Sequence, residues 1–149
     1  MLEAVECMTH RQLVCGDPRD SAGLIDSLRT QTPPGARIFN FNADDSAASN
    51  ALSIRYDALR PMVYTVRDVG LFVYTDRPAL QGWLDTTRRV DAIQALKDPA
   101  ARLNLLVPLA KEMKADYLSF DFPVVAANLS GYPVDLVYQN GTYTLVKLR

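Results

Sequence analysis

The C-terminal segment restricts the possible folds more than any other part of the chain. Two runs rich in valine, tyrosine and leucine, residues 134–138 and 143–148, flank the dipeptide Asn140-Gly141. Asparagine followed by glycine is the pair that most readily takes the positive φ angles of a two-residue type I′ turn. The sequence therefore predicts an antiparallel β-hairpin at the C-terminus, closed by such a turn.

Three aspartates upstream of the hairpin, Asp17, Asp76 and Asp98, pair with a proline one or two residues later and mark the beginnings of helices. Aspartate caps a helix N-terminus, and proline suits the first helical turn because its missing N–H has no partner there. These pairs predict helices that begin near Pro18, Arg77 and Pro99. A fourth helix is expected over residues 44–59, where apolar residues recur at helical spacing.

Short apolar segments separate these helices. Buried strands are predicted at residues 37–41, 62–66 and 117–122, and residues 71–74 are interpreted as a short extended segment. Strands that alternate with helices favour an α/β fold with three layers. We expect a mostly parallel sheet with helices on both faces and the antiparallel hairpin at one edge.

Length and composition indicate one domain and exclude several classes of partner. The 149 residues are 48% hydrophobic, enough for one core, so we expect a single α/β domain with a core at 17–149 and an N-terminal extension at 1–16. A net charge of −1 gives no field that would attract nucleic acid. No apolar run reaches the roughly 18 residues of a membrane span, and Glu3 and Glu6 replace the basic start of a signal peptide. A cytoplasmic protein, or a fragment of a larger one, is expected on these grounds.

Two cysteines, Cys7 and Cys15, are too few for a disulfide scaffold or a four-ligand zinc site. One continuous helix between them would separate their Cα atoms by about 12 Å, whereas a disulfide requires roughly 5.5 Å. Two unpaired thiols are the simpler expectation. A Cys7–Cys15 disulfide becomes the alternative if the domain lies in an oxidising compartment.

The usual signatures of cofactor binding and catalysis are missing from the sequence. The turn after the first strand has no glycine, and its carboxylates Asp44 and Asp45 would repel a phosphate. Neither a G-x-S-x-G nucleophile turn nor an H-E-x-x-H zinc motif occurs. We predict no cofactor, no metal and no catalytic residue, and we expect Trp83 to pack in the helix–sheet core.

One set of polar residues is nevertheless a candidate ligand site. Open α/β sheets bind ligands at the carboxyl ends of their strands. The polar residues that follow the three predicted strands are Asn42, Asp44, Asp45, Arg67, Asp68 and Asp121. Such a cluster either binds a ligand or performs acid–base chemistry, or it only caps helices and solvates loops.

Four segments in order resemble one protein family. They are LIDSLRTQTPPGARIFNF at 24–41, IRYDALRPMVYTV at 54–66, LVPLAKEMKADYLSFDFP at 106–123 and VYQNGTYTLVKL at 137–148. Together they are similar to the soluble region that follows the last transmembrane helix in bacterial multi-pass membrane proteins of the glycosyltransferase C type and their uncharacterised relatives.

The resemblance implies a non-catalytic accessory domain on the extracytoplasmic, periplasmic side of a membrane. Its partner would be the membrane portion of the same polypeptide or complex, with a lipid-linked sugar or a protein acceptor as a further contact. The family's catalytic acidic residue lies in the membrane portion, so no catalytic residue is transferred to this chain. The alternative is a free-standing cytoplasmic α/β protein or enzyme that works at the strand-end polar residues.

Overall fold

The computed structural model describes residues 18–43, 48–73 and 76–149. Within these ranges the helices are α1 (Pro18–Gln31), α2 (Ala48–Tyr56), α3 (Val69–Phe72), α4 (Arg77–Gln94) and α5 (Pro99–Glu112). The strands are β1 (Ile38–Phe41), β2 (Met62–Tyr64), β3 (Tyr117–Phe120), β4 (Val134–Gln139) and β5 (Thr144–Leu148). Two 3₁₀ segments, Val66–Asp68 and Ala126–Gly131, complete the described elements.

The strands form one mixed sheet in the order β2-β1-β3-β5-β4. β1 pairs in parallel with β2 and with β3, whereas β5 pairs antiparallel with β3 and with β4. The predicted α/β class and C-terminal hairpin are confirmed. The sheet is parallel at one end and antiparallel at the other, because the hairpin places β5 beside β3 and leaves β4 at the edge.

The hairpin connection differs from the predicted type I′ turn. Neither Asn140 nor Gly141 has a positive φ, which that turn requires at both central residues. Instead the Asn140 side-chain oxygen accepts hydrogen bonds from the backbone N–H groups of Thr142 at 3.0 Å and Tyr143 at 2.7 Å. The side chain thereby satisfies the turn's donors, so the backbone needs no left-handed residue.

The predicted helix starts are confirmed where the structure describes the cap. The Asp76 carboxylate accepts a hydrogen bond from the N–H of Ala79, and Asp98 does the same for Ala101, each at 2.9 Å. Pro108 lies inside α5 without ending it. Pro18, the first described residue, lies in helix α1, and the residue expected to cap that helix lies outside the described residues.

The segment at residues 71–74 corrects one prediction. It was expected to be extended, but Leu71 and Phe72 belong to the short helix α3 (Val69–Phe72), and Tyr74 lies outside the described residues. An apolar run of four residues fits either a strand or one helical turn, because it is too short to show a period. Here helix α3 continues directly from the 3₁₀ segment Val66–Asp68, so the chain keeps helical dihedrals through Phe72.

Two clusters of buried side chains form the core. In the first, Leu24 of α1 and Ile54 of α2 pack with Ile38 of β1. In the second, Val90 of α4 packs with Phe39, the next residue of β1, and with further residues that include Leu106, Leu109, Leu118 and Phe120. Both clusters therefore contain sheet residues, and neighbouring residues of β1 belong to different clusters.

A buried arginine connects α1 to the segment that precedes β2. Arg60 is 7% exposed, and its Nε donates to the Thr32 hydroxyl at 2.9 Å. The two terminal nitrogens donate to backbone carbonyls of Arg29, Thr32, Ala58 and Leu59. Because the C-terminal carbonyls of a helix lack partners within it, Arg60 caps the end of α1.

Candidate functional site

The carboxyl ends of β1 and β3 carry a group of hydrogen-bonded polar side chains. Ser119 is fully buried and donates its hydroxyl to Asn40 Oδ1 at 2.6 Å. The Asn40 amide then donates to Asn42 Oδ1 at 3.3 Å. Buried polar atoms require such partners, so this chain of bonds stabilises the strand ends.

Asp121 lies beside the same strand end as Asn42. Its Oδ1 accepts a hydrogen bond of 2.6 Å from the backbone N–H of Ala43, which follows Asn42 directly. The Asn42 carbonyl in turn accepts a hydrogen bond of 2.9 Å from the Gln94 side chain at the end of α4. The structure thus brings two of the predicted site residues together, and both bond to neighbouring parts of the fold.

The remaining predicted site residues divide into two groups. Asp68 follows β2, and its Oδ2 accepts a hydrogen bond of 2.9 Å from Arg55 of α2, so it is paired with that arginine rather than with Asn42 or Asp121. Asp44, Asp45 and the Arg67 side chain lie outside the described residues. The proposed disulfide partners Cys7 and Cys15 also lie outside them. A ligand at the strand ends therefore stays a prediction.

A cavity beside β2 was not anticipated from the sequence. It has a volume of about 270 Å³ and is open on one side. Its lining includes Tyr64, Asp68, Phe72, Gly82, Trp83 and Met113. We call it the aromatic cavity.

The rings of the aromatic cavity are fixed in orientation. Trp83 Nε1 donates a hydrogen bond of 2.9 Å to the Thr65 carbonyl, and the Tyr64 hydroxyl lies 3.0 Å from the Thr87 hydroxyl. The ring centroids of Tyr64 and Trp83 are 6.4 Å apart, with their planes inclined by 31°. Trp83 was expected in the core, and it is half-buried and packs against the second core cluster while it lines this cavity.

A second, more polar cleft lies between α5 and the chain after β3. Its volume is about 530 Å³, and Leu103, Asn104, Val124, Asn128 and Tyr132 contribute to its walls. The Tyr132 hydroxyl donates to the carbonyl of Ala100 at 3.2 Å, so it helps to fix one wall. Among the described residues that line this cleft, Asp98 alone is charged, and it already caps α5.

The described ranges contain neither a candidate metal site nor a candidate membrane span. No three His, Cys, Asp or Glu side chains in 18–43, 48–73 and 76–149 are grouped so that they could hold a metal ion. No helix in the described part of the chain is both long enough and apolar enough to cross a bilayer.

Comparison with known proteins assigns no family to the chain. No protein-family model matches the sequence, and a search of curated proteins finds no match either.

Proposed function

We propose that this chain is a non-catalytic accessory domain of a multi-pass membrane protein of the glycosyltransferase C type, on the extracytoplasmic side of the membrane. The observation that carries the proposal is the use of the strand-end polar groups within the fold. Asp121 accepts a backbone N–H, and Asp68 pairs with Arg55. Acid–base or nucleophilic chemistry needs a reactive group that a substrate can approach, whereas Asp121 holds a loop and Oδ2 of Asp68 connects two elements.

The segments that resemble the family carry structural residues, which suits an accessory role. Arg60, in the second segment, caps α1. Asp116, in the third, bonds to the backbone and guanidinium of Arg37 and so connects the beginnings of β1 and β3. These contacts support a rigid domain whose purpose is to present a surface.

The partners follow from the same proposal. The domain contacts the membrane portion of its own polypeptide or complex, and it stabilises that portion or contacts a lipid-linked sugar or a protein acceptor. An oxidising compartment would also favour a disulfide between Cys7 and Cys15.

The proposed architecture is a three-layer sandwich with helices on both faces of the sheet. The proposal is supported by the presence of two separate clusters of buried side chains. Side chains of consecutive strand residues point to opposite faces of a sheet. Ile38 belongs to the cluster that contains α1 and α2 residues, and Phe39 to the cluster that contains α4 and α5 residues.

Cell fractionation tests the location. An antibody raised against this chain should detect the native protein in the membrane fraction. Protease added to spheroplasts should degrade the epitope while it spares a cytoplasmic marker. Recovery of the epitope in the soluble fraction, or its protection from protease in intact spheroplasts, would contradict the proposal and support a free-standing cytoplasmic protein.

An activity screen tests the non-catalytic role. We expect no turnover with hydrolase and transferase substrates. The enzyme alternative replaces the proposal if activity is found and if Asp121→Asn abolishes it while Asp91→Asn, on the exposed face of α4, does not.

A further inference from the structure

We propose that the aromatic cavity binds a small organic cation with an alkylammonium head, such as a trimethylammonium group. The inference is independent of the accessory role. It rests on the aromatic walls, on one carboxylate and on the size of the cavity.

The walls contain three aromatic rings. Tyr64, Phe72 and Trp83 line the cavity together with the thioether side chain of Met113. The negative face of an aromatic ring attracts a cation that lies within about 6 Å of its centroid. Hydrogen bonds from Trp83 to Thr65 and between Tyr64 and Thr87 fix two of the rings, so little ordering is needed when a ligand enters.

The charge of the lining favours a cation over an anion or a neutral ligand. Asp68 lines the cavity, and its side chain is 12% exposed. Arg55 bonds to Oδ2, and Oδ1 accepts no hydrogen bond from the described part of the chain. A carboxylate has acceptor sites on both oxygens. A cation that approaches Oδ1 competes with Arg55 for the carboxylate and also gains contact with the aromatic rings.

The size of the cavity limits the ligand. Its volume of about 270 Å³ lies just below the roughly 300 Å³ at which sites for drug-sized molecules begin. A trimethylammonium head with a short substituent is of suitable size. We therefore expect a small molecule as the occupant.

Two probes of the same shape separate charge from apolar filling. Choline and 3,3-dimethylbutan-1-ol differ by a quaternary nitrogen in place of a quaternary carbon. Trp83 is the only tryptophan of the chain, so its fluorescence reports directly on the cavity wall. We expect a saturable change with choline at constant ionic strength, and binding of the alcohol at least tenfold weaker. Equal binding of the two probes, or no saturable change with choline, overturns the proposal.

Amino-acid substitutions test whether the Asp68 carboxylate attracts the cation. Asp68→Asn should weaken choline binding at least tenfold and leave the alcohol unaffected, whereas Asp26→Asn, an exposed carboxylate on α1, should change neither. Arg55→Gln leaves the Asp68 carboxylate intact and removes its competing cation, so choline should bind severalfold more tightly. Unchanged or weaker binding to a folded Arg55→Gln protein overturns the proposal even if Asp68→Asn fails to fold.

Discussion

The side-chain amide of Asn140 donates a hydrogen bond of 2.9 Å to the backbone carbonyl of Asp20, which lies 120 residues earlier in the chain. The Thr142 hydroxyl donates to the Asp20 carboxylate at 2.6 Å. The turn of the C-terminal hairpin is thus bonded to the first turn of α1. This contact connects the first and last elements of the described fold.

Replacement of Asn140 by alanine should destabilise the protein by about 2–4 kcal/mol, since the variant loses two turn hydrogen bonds, the bond to Asp20 and the bond to the Tyr138 hydroxyl, each of which contributes about 1 kcal/mol. The free energy of unfolding from urea denaturation provides the measurement. Asn128→Ala, at an exposed position in the 3₁₀ segment Ala126–Gly131, is the matched control and should change stability by less than about 0.5 kcal/mol. If Asn140→Ala and Asn128→Ala lower the free energy of unfolding equally, the hydrogen bonds of the Asn140 side chain do not stabilise the fold.

Two glycine-to-alanine substitutions should act in opposite directions. A Cβ on Gly23 of α1 would overlap the Tyr138 hydroxyl, so Gly23→Ala should cost about 1–3 kcal/mol despite the better helix propensity of alanine. A Cβ on Gly82 of α4 meets no atom within 4 Å, so Gly82→Ala should stabilise by about 1 kcal/mol.

The overlap at Gly23 can be relieved from the other side. Tyr138→Phe removes the hydroxyl, so the double variant Gly23→Ala/Tyr138→Phe should be more stable than the sum of the two single effects predicts. Additive losses in a thermal-denaturation cycle would mean that the Tyr138 hydroxyl is not the obstacle.

The local features of the fold could be predicted, and those set by distant contacts could not. The caps at Asp76 and Asp98 depend on residues within one turn, and both are formed as expected. The hairpin was predictable, but its turn type was not, because the Asn140 side chain is held partly by Asp20 of a helix far away in sequence. Helix α3 was missed because the apolar run at residues 71–74 is too short to show a helical or an extended period.

The candidate site also has one part that could be predicted from the sequence and one part that could not. Topology predicted that Asn42 and Asp121 would be neighbours, since the carboxyl ends of parallel strands lie at one edge of a sheet. The aromatic cavity could not be predicted, because it depends on the packing of β2, α4 and the end of α5. The presence of Trp83 in an amphipathic helix was a signal of burial and did not indicate a cavity wall.

Lys114 should be replaceable by glycine with a gain in stability. It has a φ of 58°, and its N–H and that of Ala115 donate to carbonyls of Lys111 and Ala110 in the pattern of a Schellman motif. Glycine takes this left-handed conformation without strain, so Lys114→Gly should stabilise by about 0.5–1 kcal/mol. Lys111→Gly, inside α5, should instead destabilise by up to about 1 kcal/mol in the same urea titration. If Lys114→Gly destabilises the protein as Lys111→Gly does, the left-handed conformation of Lys114 is not a source of strain.

Asp116 should contribute to stability at neutral pH and lose that contribution in acid. The backbone N–H of Arg37, and then its guanidinium, hold the pKa of the Asp116 carboxyl below its usual range. The folded state therefore binds the proton more weakly than the unfolded chain, whose aspartates titrate near pH 4. The stabilisation is present above that pH and is lost as the pH falls through the folded-state pKa.

The comparison of Asp116→Asn with the unsubstituted protein checks this pH dependence. We expect the difference in unfolding free energy to be largest near pH 7 and to shrink steadily below about pH 4. Asn128→Ala, an exposed substitution that removes no titratable group, is the control and should show no such trend. A constant difference between pH 7 and pH 2 would mean that the ionised carboxylate does not provide the stabilisation.

Arg60 should be among the residues least tolerant of substitution. Its five donors match a fixed arrangement of acceptors, which includes the Thr32 hydroxyl and the carbonyls of Arg29, Thr32 and Ala58. Arg60→Met leaves these buried acceptors without donors, and we expect a loss of about 3 kcal/mol or more. Lysine keeps the charge but has only one nitrogen, which cannot reach all the acceptors that surround the edge of the planar guanidinium.

Arg60→Lys should therefore be nearly as destabilised as Arg60→Met. We expect the free energies of unfolding of the two variants, measured by urea denaturation, to differ by less than about 1 kcal/mol. Arg29→Lys, an exposed position in the last turn of α1, is the matched control and should be nearly neutral, because its backbone carbonyl still receives the Arg60 bond. If the lysine variant is as stable as the unsubstituted protein, a positive charge at the end of α1 suffices and the planar fork of donors is not required.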